Sequence, residues 1–325
     1  MRHLNAQLGD WQAIKDRGWD SLLAGNGASL AVWPGFGYGS LVKQAPLSRS
    51  DCELFEALGT TNFESALDAL RVARVVCRQA GHDDSEVYAR YRAIRRALIK
   101  AVREVHVPWS LIPQNRLQHI RSTLRSFTWV YTTDYDLLFY WAIMSNDARG
   151  FRDFFWASGN TFNISDTDTS SNLTKILYLH GALHLYRRED GAIAKRTATA
   201  QNLLDTIARP DAGIPLFVSE GRSADKQRAI RRSDYLSFAN RTFSQDSGPL
   251  VVFGHSLSSQ DEHLLKAIDQ PGRRVAISLL PGTNRSVLRR KAELTERLPH
   301  ARVSFFDATT HPLGDRAQIQ IPILQ

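Results

Sequence analysis

Cysteine is almost missing from this chain, with Cys52 and Cys77 the only two among 325 residues. Two thiols cannot build a disulfide framework or a four-cysteine zinc module, and both are expected to be free in a reducing compartment. Long apolar runs are missing as well, since none reaches the ~18–20 residues that a membrane span needs. The opening twenty residues, MRHLNAQLGDWQAIKDRGWD, are charged throughout and lack an apolar signal core. No export signal is read there, so a cytoplasmic location without membrane attachment is expected. Internal repeats and long low-complexity tracts are also absent.

Hydrophobic residues make up 43% of the chain and charged residues 23%, the composition of an ordinary globular protein. Basic residues outnumber acidic ones, 41 to 33, for a net charge of +8. The cations are scattered along helix-like stretches such as RYRAIRRALIKAVREVH and NRSVLRRKAEL, which reads mainly as solvated helix faces. A nucleic-acid partner rests on this charge alone and would show as steeply salt-dependent binding. The same charge would attract an anionic dinucleotide.

Short β-rich runs predict strands at SLLAG, FTWVYTT, KILYLHG, PLFVSEG, PLVVFGH, RRVAISLL and ARVSFFDA. Most of those after Ser126 are followed by helical periodicity, as in DEHLLKAI, so an α/β, Rossmann-like fold with a mainly parallel sheet is expected. From Ser48 to Arg125 the rhythm changes. Apolar residues recur at three- and four-residue spacing, with Gly81 as a stop and Asp83, Asp84 and Ser85 as caps. We read 48–125 as a helical insertion into a Rossmann-like domain formed by 1–47 and 126–325. The polar stretch 158–174 reads as a loop.

Four places could carry chemistry. In GNGASLAV, Gly25 and Gly27 let backbone pass close to a ligand, and the N–H groups that follow could cradle a phosphate; a tight strand–helix turn explains them equally well. The third glycine of a GxGxxG fingerprint is absent. In WVYTTDYDLLFYW, Thr133, Asp134, Tyr135 and Asp136 stand where a strand gives way to a helix, the usual ligand side of a parallel sheet. One carboxylate is enough to cap that helix, so the second invites a function. In YLHGALHLY, His180 ends a strand, whereas His184 reads as a packing residue; as ligands the two could complete a metal site with the carboxylates, but the spacing is not diagnostic and no metal is expected. In VVFGHSLSSQDEHLL, Ser256 and Ser258 follow Gly254 and could hold a phosphate or ribose, while Asp261 caps a helix. Ser219, Gly221 and several cations follow another strand and could stabilise phosphates or only decorate a helix, with the arginines read as decoration.

Taken in order, GNGAS with FGYGSL, then TTDYDLL, YLHGALH and GHSLSSQDEHLL, the chain resembles the sirtuin-like NAD-binding superfamily, and within it the bacterial defence-type NADases. The resemblance spans about residues 22–268. It implies that Gly25, Asn26, Gly27, Ala28, Ser29, Thr133, Asp136, Gly254 and Ser256 hold NAD, the substrate. It makes His180 one catalytic residue and puts the other at position 134, where the family's T-x-N-x-D motif has asparagine and this chain has Asp134. A carboxylate there could stabilise an oxocarbenium-like state or orient water. Alternatively, loss of the amide donor leaves a module that binds NAD or ADP-ribose without turnover. Protein deacylation fits poorly without four cysteines. The resemblance further implies antiphage defence, with a homo-oligomer or a partner protein controlling the activity.

Overall fold

A computed structural model describes residues 5–37, 40–156, 158–168, 172–197, 203, 206, 213–218 and 223–321. Its centre is a seven-stranded sheet of β1 (Ser21–Ala24), β2 (Trp129–Thr132), β3 (Phe151–Arg152), β4 (Thr174–Tyr178), β8 (Leu250–Phe253), β9 (Arg274–Leu279) and β10 (Arg302–Asp307). The spatial order is β10-β9-β8-β1-β2-β4-β3, and every pair is parallel. Leu22, Leu23, Val130, Ile176, Leu177, Val251 and Val252 are fully buried, because helices cover both faces and both side-chain rows of each strand must be apolar. Twelve α-helices are present among the described residues, so the α/β, Rossmann-like expectation holds.

The helices are α1 (Gly27–Val32), α2 (Leu41–Gln44), α3 (Arg49–Ala57), α4 (Phe63–Gln79), α5 (Ser85–Val105), α6 (Gln114–Leu124), α7 (Leu138–Met144), α8 (Ser223–Arg231), α9 (Asp234–Gln245), α10 (Glu262–Ile268), α11 (Asn284–Arg297) and α12 (Arg316–Ile319). Between 48 and 125 no described residue forms a strand, and α3–α6 fill the stretch. Helix α4 buries Phe63, Ala66, Leu67 and Leu70, a spacing of three and four residues that sets one apolar face against the common core. It ends where Gly81 takes φ +75°, as expected. The caps of α5 divide the work differently from the sequence reading. Asp84 occupies the N-cap position but pairs with Arg74 at 2.8 Å, while the Asp83 side chain receives the Ser85 N–H.

One predicted strand belongs elsewhere. The PLFVSEG run forms β7 (Ile214–Phe217), which pairs antiparallel with β5 (Gly181–Arg187); β6 (Ile193–Lys195) lies on the other side of β5. Residues 219–221 of that run lie outside the described residues. The cause sits at Gly181, whose φ of +75° turns the chain out of β4. A Cβ there would come within 2.2 Å of the Leu216 carbonyl, so only glycine lets β7 cross at this point. The expected loop at 158–174 likewise contains a bridge from Thr161 to Ala194, and Thr174 opens β4. No helix among the described residues is long and apolar enough to cross a membrane.

Candidate functional site

A cleft of about 1730 Å³ opens beyond the carboxyl ends of β1, β2, β4, β8 and β9, where parallel sheets hold their ligands. It lies over the junction of β1 and β8, at which the chain changes direction across the sheet. Two glycine turns form its floor. The Gly27 N–H donates to the Gly254 carbonyl at 2.8 Å, and Gly254, at φ +64°, lies so close that a Cβ on it would meet the Ala28 nitrogen at 2.6 Å. The Gly25 and Ala28 N–H groups also bond backbone oxygens, of Phe253 and Gly25. These glycines serve backbone-to-backbone approach; the N–H groups of Gly25, Gly27 and Ala28 are spoken for, so the phosphate-cradle expectation does not hold for them.

At the β2 end the two carboxylates have different duties. Asp136 is buried, caps α7 by accepting the Leu138 N–H at 2.8 Å, and receives the Ser29 hydroxyl at 2.5 Å. The same hydroxyl oxygen lies 3.4 Å from Asp134 Oδ2. Ser29 has one proton, and the nearer acceptor takes the larger share of it. Asp134 therefore receives only weak help from that hydroxyl and faces a neighbouring carboxylate. Burial first, and the Asp136 charge second, push the Asp134 carboxyl well above its usual range, with Ser29 opposing. Behind them, His106 Nε2 accepts the Leu137 N–H at 3.0 Å and its Nδ1 donates to the Val107 carbonyl, so it is a neutral support for the turn.

His180 is buried at the end of β4, with its carbonyl fixed by the Val218 N–H at 2.7 Å. Its Nε2 meets His263 Nε2 at 3.2 Å and stands 3.9 Å from Asp261 Oδ1. Lys226 Nζ reaches that same Asp261 oxygen at 2.7 Å, and His255 Nε2 lies 4.0 Å from the other. Burial, aided by the Lys226 charge and opposed by Asp261, pushes His180 well below the usual imidazole range. Burial likewise brings His255 and His263 down to about 4. Burial would raise Asp261, yet its cationic neighbours bring it below the usual carboxylate range. With the imidazoles neutral at pH 7, the charge that keeps Asp261 ionised there is the Lys226 ammonium. His180, Asp261 and His263 each offer one ligand atom, all within 4.8 Å of one another. Lys226 already balances the carboxylate, so a divalent cation would add two uncompensated charges in a buried place. We read the set as a proton-handling cluster.

The far end of the cleft is basic. Arg290 donates to the Ser256 carbonyl and pairs with Glu293 at 2.7 Å; Arg297 donates to the Leu257 carbonyl and pairs with Glu262. Leu257 sits in the left-handed region at φ +45°, held there by Arg297 and by His255 Nδ1, which accepts its N–H at 2.8 Å. The rim of this turn is thereby locked from two sides.

Of the residues singled out in the sequence, Asn26, Gly27, Thr133, Asp134, Asp136, His180, Gly254 and Ser256 line this one cleft. Gly25, Ala28 and Ser29 lie just behind its wall, and Ser29 acts there through Asp136 and Asp134. Asn26 also donates to the Phe36 carbonyl at 3.1 Å. Asp261 stands at the start of α10, but its side chain makes no cap bond and turns to Lys226 instead. His184 packs as read, stacked on Tyr140 at 4.3 Å. The sequence reading missed His255 and His263, left Lys226 among unassigned cations, and read Arg290 as part of a solvated helix face although it lines the cleft, as does Arg297. One signal was available: His255, Asp261 and His263 fall within nine residues. Ser219 and Gly221 lie outside the described residues.

A family model described as "Domain of unknown function (DUF4917)" matches residues 22–313. That stretch covers most of the chain and includes every cleft element except α12, and the chain belongs to this family. No curated protein matches it.

Proposed function

We propose that this member of the family hydrolyses the nicotinamide–ribose bond of an NAD-type dinucleotide, converting it and one water into nicotinamide, ADP-ribose and a proton. The observation that carries the reading is the polarity of one long cleft, with Asp134, Asp136 and His180 at the β2–β4 end and arginines at the β8–β9 end. A dinucleotide has the matching polarity, a cationic nicotinamide riboside at one end and anionic phosphates beyond it. Bond cleavage passes through an oxocarbenium-like cation, which a nearby carboxylate stabilises. His180 is neutral at pH 7 and available to accept a proton from the attacking water or a ribose hydroxyl, and the Lys226–Asp261 pair lies behind it.

The departure at position 134 fits this scheme. Desolvated, crowded by Asp136 and only weakly served by the Ser29 hydroxyl, Asp134 is held towards its neutral form. A neutral carboxyl has one O–H donor and one carbonyl acceptor, which reproduces the donor and acceptor pair of an asparagine amide.

Nicotinamide release from NAD by the purified protein tests the reading, with His180→Ala and Asp134→Asn in parallel. Release by the wild type, retained in Asp134→Asn and cut at least a hundredfold in His180→Ala, is expected. A second reading, a module that senses NAD or ADP-ribose without turnover, is favoured by the His263 contact that occupies His180 Nε2. Ligand binding without nicotinamide release, in the wild type and in Asp134→Asn, would select it. A place in antiphage defence, with activity held off by a second copy or a partner, rests on the resemblance; loss of protection by His180→Ala in a phage challenge is its test.

A further inference from the structure

The sheet order gives a meaning to the basic end of the cleft. Counting β8 as the first strand, β9 and β10 run to one side and β1, β2 and β4 to the other, the doubly wound 3-2-1-4-5-6 order. In that arrangement the strand beside the phosphate-binding turn carries, at its carboxyl end, the group that reads the adenosine ribose. An acidic side chain there holds a free 2′-hydroxyl, and a nearby arginine takes a 2′-phosphate. Here that strand is β9, which ends in Ser278 and Leu279 and runs on into Leu280 and Pro281. Its end contributes no carboxylate, and Ser278 Oγ is occupied by the Gly254 N–H at 3.0 Å. The first turn of α11, which follows, has no acidic residue.

Cations stand there instead. Arg290 projects from α11 beside the Ser256 carbonyl, and Arg316 reaches the same end from α12. Glu293 is the one acidic side chain that α11 adds to the wall, and Arg290 Nη1 holds it at 2.7 Å. Among the described residues, Arg290, Arg297 and Arg316 outnumber Glu293 in the lining and leave this end positive, with no carboxylate at the β9 end to accept from a free ribose diol.

We propose that the β9–α11 end of the cleft binds a phosphate on the adenosine ribose, making the 2′-phosphorylated dinucleotide, of the NADP class, the preferred ligand. The inference rests on the dinucleotide reading above and adds its substrate class. Arg290 forms charge-assisted hydrogen bonds to the phosphate, already oriented by Glu293 and the Ser256 carbonyl. Arg316, exposed at the rim, adds attraction without fixing geometry.

Calorimetric titration with ADP-ribose and with ADP-ribose 2′-phosphate tests this, because neither compound contains the bond to be broken. The phosphorylated ligand should bind about tenfold to a hundredfold more tightly. Arg290→Gln should bring the two affinities to within about threefold, and Arg316→Gln, at an exposed site that the fold does not need, should narrow the gap by less. Equal affinities, or a preference for plain ADP-ribose, would overturn this inference and leave the dinucleotide reading standing. Absence of binding by both ligands would remove the dinucleotide reading and this inference together.

Discussion

Two groups of titratable side chains face the same cleft and solve opposite problems. At the β2 end, Asp134 and Asp136 crowd one hydroxyl, and among the described residues no cation is in the contacts that set Asp134. At the β8 end, a single carboxylate, Asp261, meets an ammonium at 2.7 Å and two imidazoles within 4.0 Å. Burial acts on both and would raise both. The outcomes diverge because Lys226 is delivered to one and not to the other. The charge of a cleft carboxyl here is decided by its counter-charge rather than by its depth.

The hardest blow to this contrast is Lys226→Met. Stripped of its ammonium, Asp261 should behave like Asp134, with its carboxyl pKa raised. Removing one partner of a buried pair costs about 3–5 kcal/mol, read as a lower urea midpoint at pH 7. An unchanged midpoint would show that the imidazoles suffice. Ser29→Ala attacks the other end by taking a short hydrogen bond from Asp136, at a cost of about 1.5–3 kcal/mol. It also lets the two carboxyls interact unrelieved, so NMR titration should find Asp134 displaced further upward.

Acid should expose the imidazoles. His255 and His263 sit at about 4 in the folded state, below their unfolded value, so the unfolded chain binds more protons between about pH 6.5 and 4. Their contribution is complete above pH 6.5 and is lost as the pH falls. His263→Gln removes one such group and should flatten that loss, by about 1 kcal/mol at pH 5.5. The smallest effect belongs to Asp134→Asn. Because the folded carboxyl is raised, wild-type stability is full below about pH 4 and declines as the pH rises. The variant should differ by less than about 1 kcal/mol at pH 5 and gain on the wild type at higher pH. A variant that gains on acidification instead would mean that Asp134 is the charged member of the pair.

Much of the frame was legible in the sequence because it follows from local rules. Unbroken apolar runs such as LVVF and KILY mark strands covered on both faces, and the spacing of Phe63, Ala66, Leu67 and Leu70 marks a helix face. A capping carboxylate at 134 or 136 was legible, and the structure gives the part to Asp136, two residues before the Leu138 N–H it serves. The PLFV run was legible as a strand but not as an antiparallel one, because its partner is chosen by the turn at Gly181. The glycines at 25 and 27 were legible as close approaches, though the surfaces approached are His255 and Gly254, more than two hundred residues on.

By itself, then, the sequence determined the α/β alternation, the helical stretch between 48 and 125, and the placement of Asp134, His180 and Gly254 at strand ends. Those features depend on periodicity and on the few residues next to them. Only the tertiary structure decided which of these ends meet, that His263 abuts His180, that Lys226 neutralises Asp261, and that Arg290 turns into the cleft. Electrostatic character falls off over a few ångströms in space and takes no account of distance along the chain. The protonation of Asp134 and the charge of Asp261 were therefore fixed by neighbours that only folding brings near.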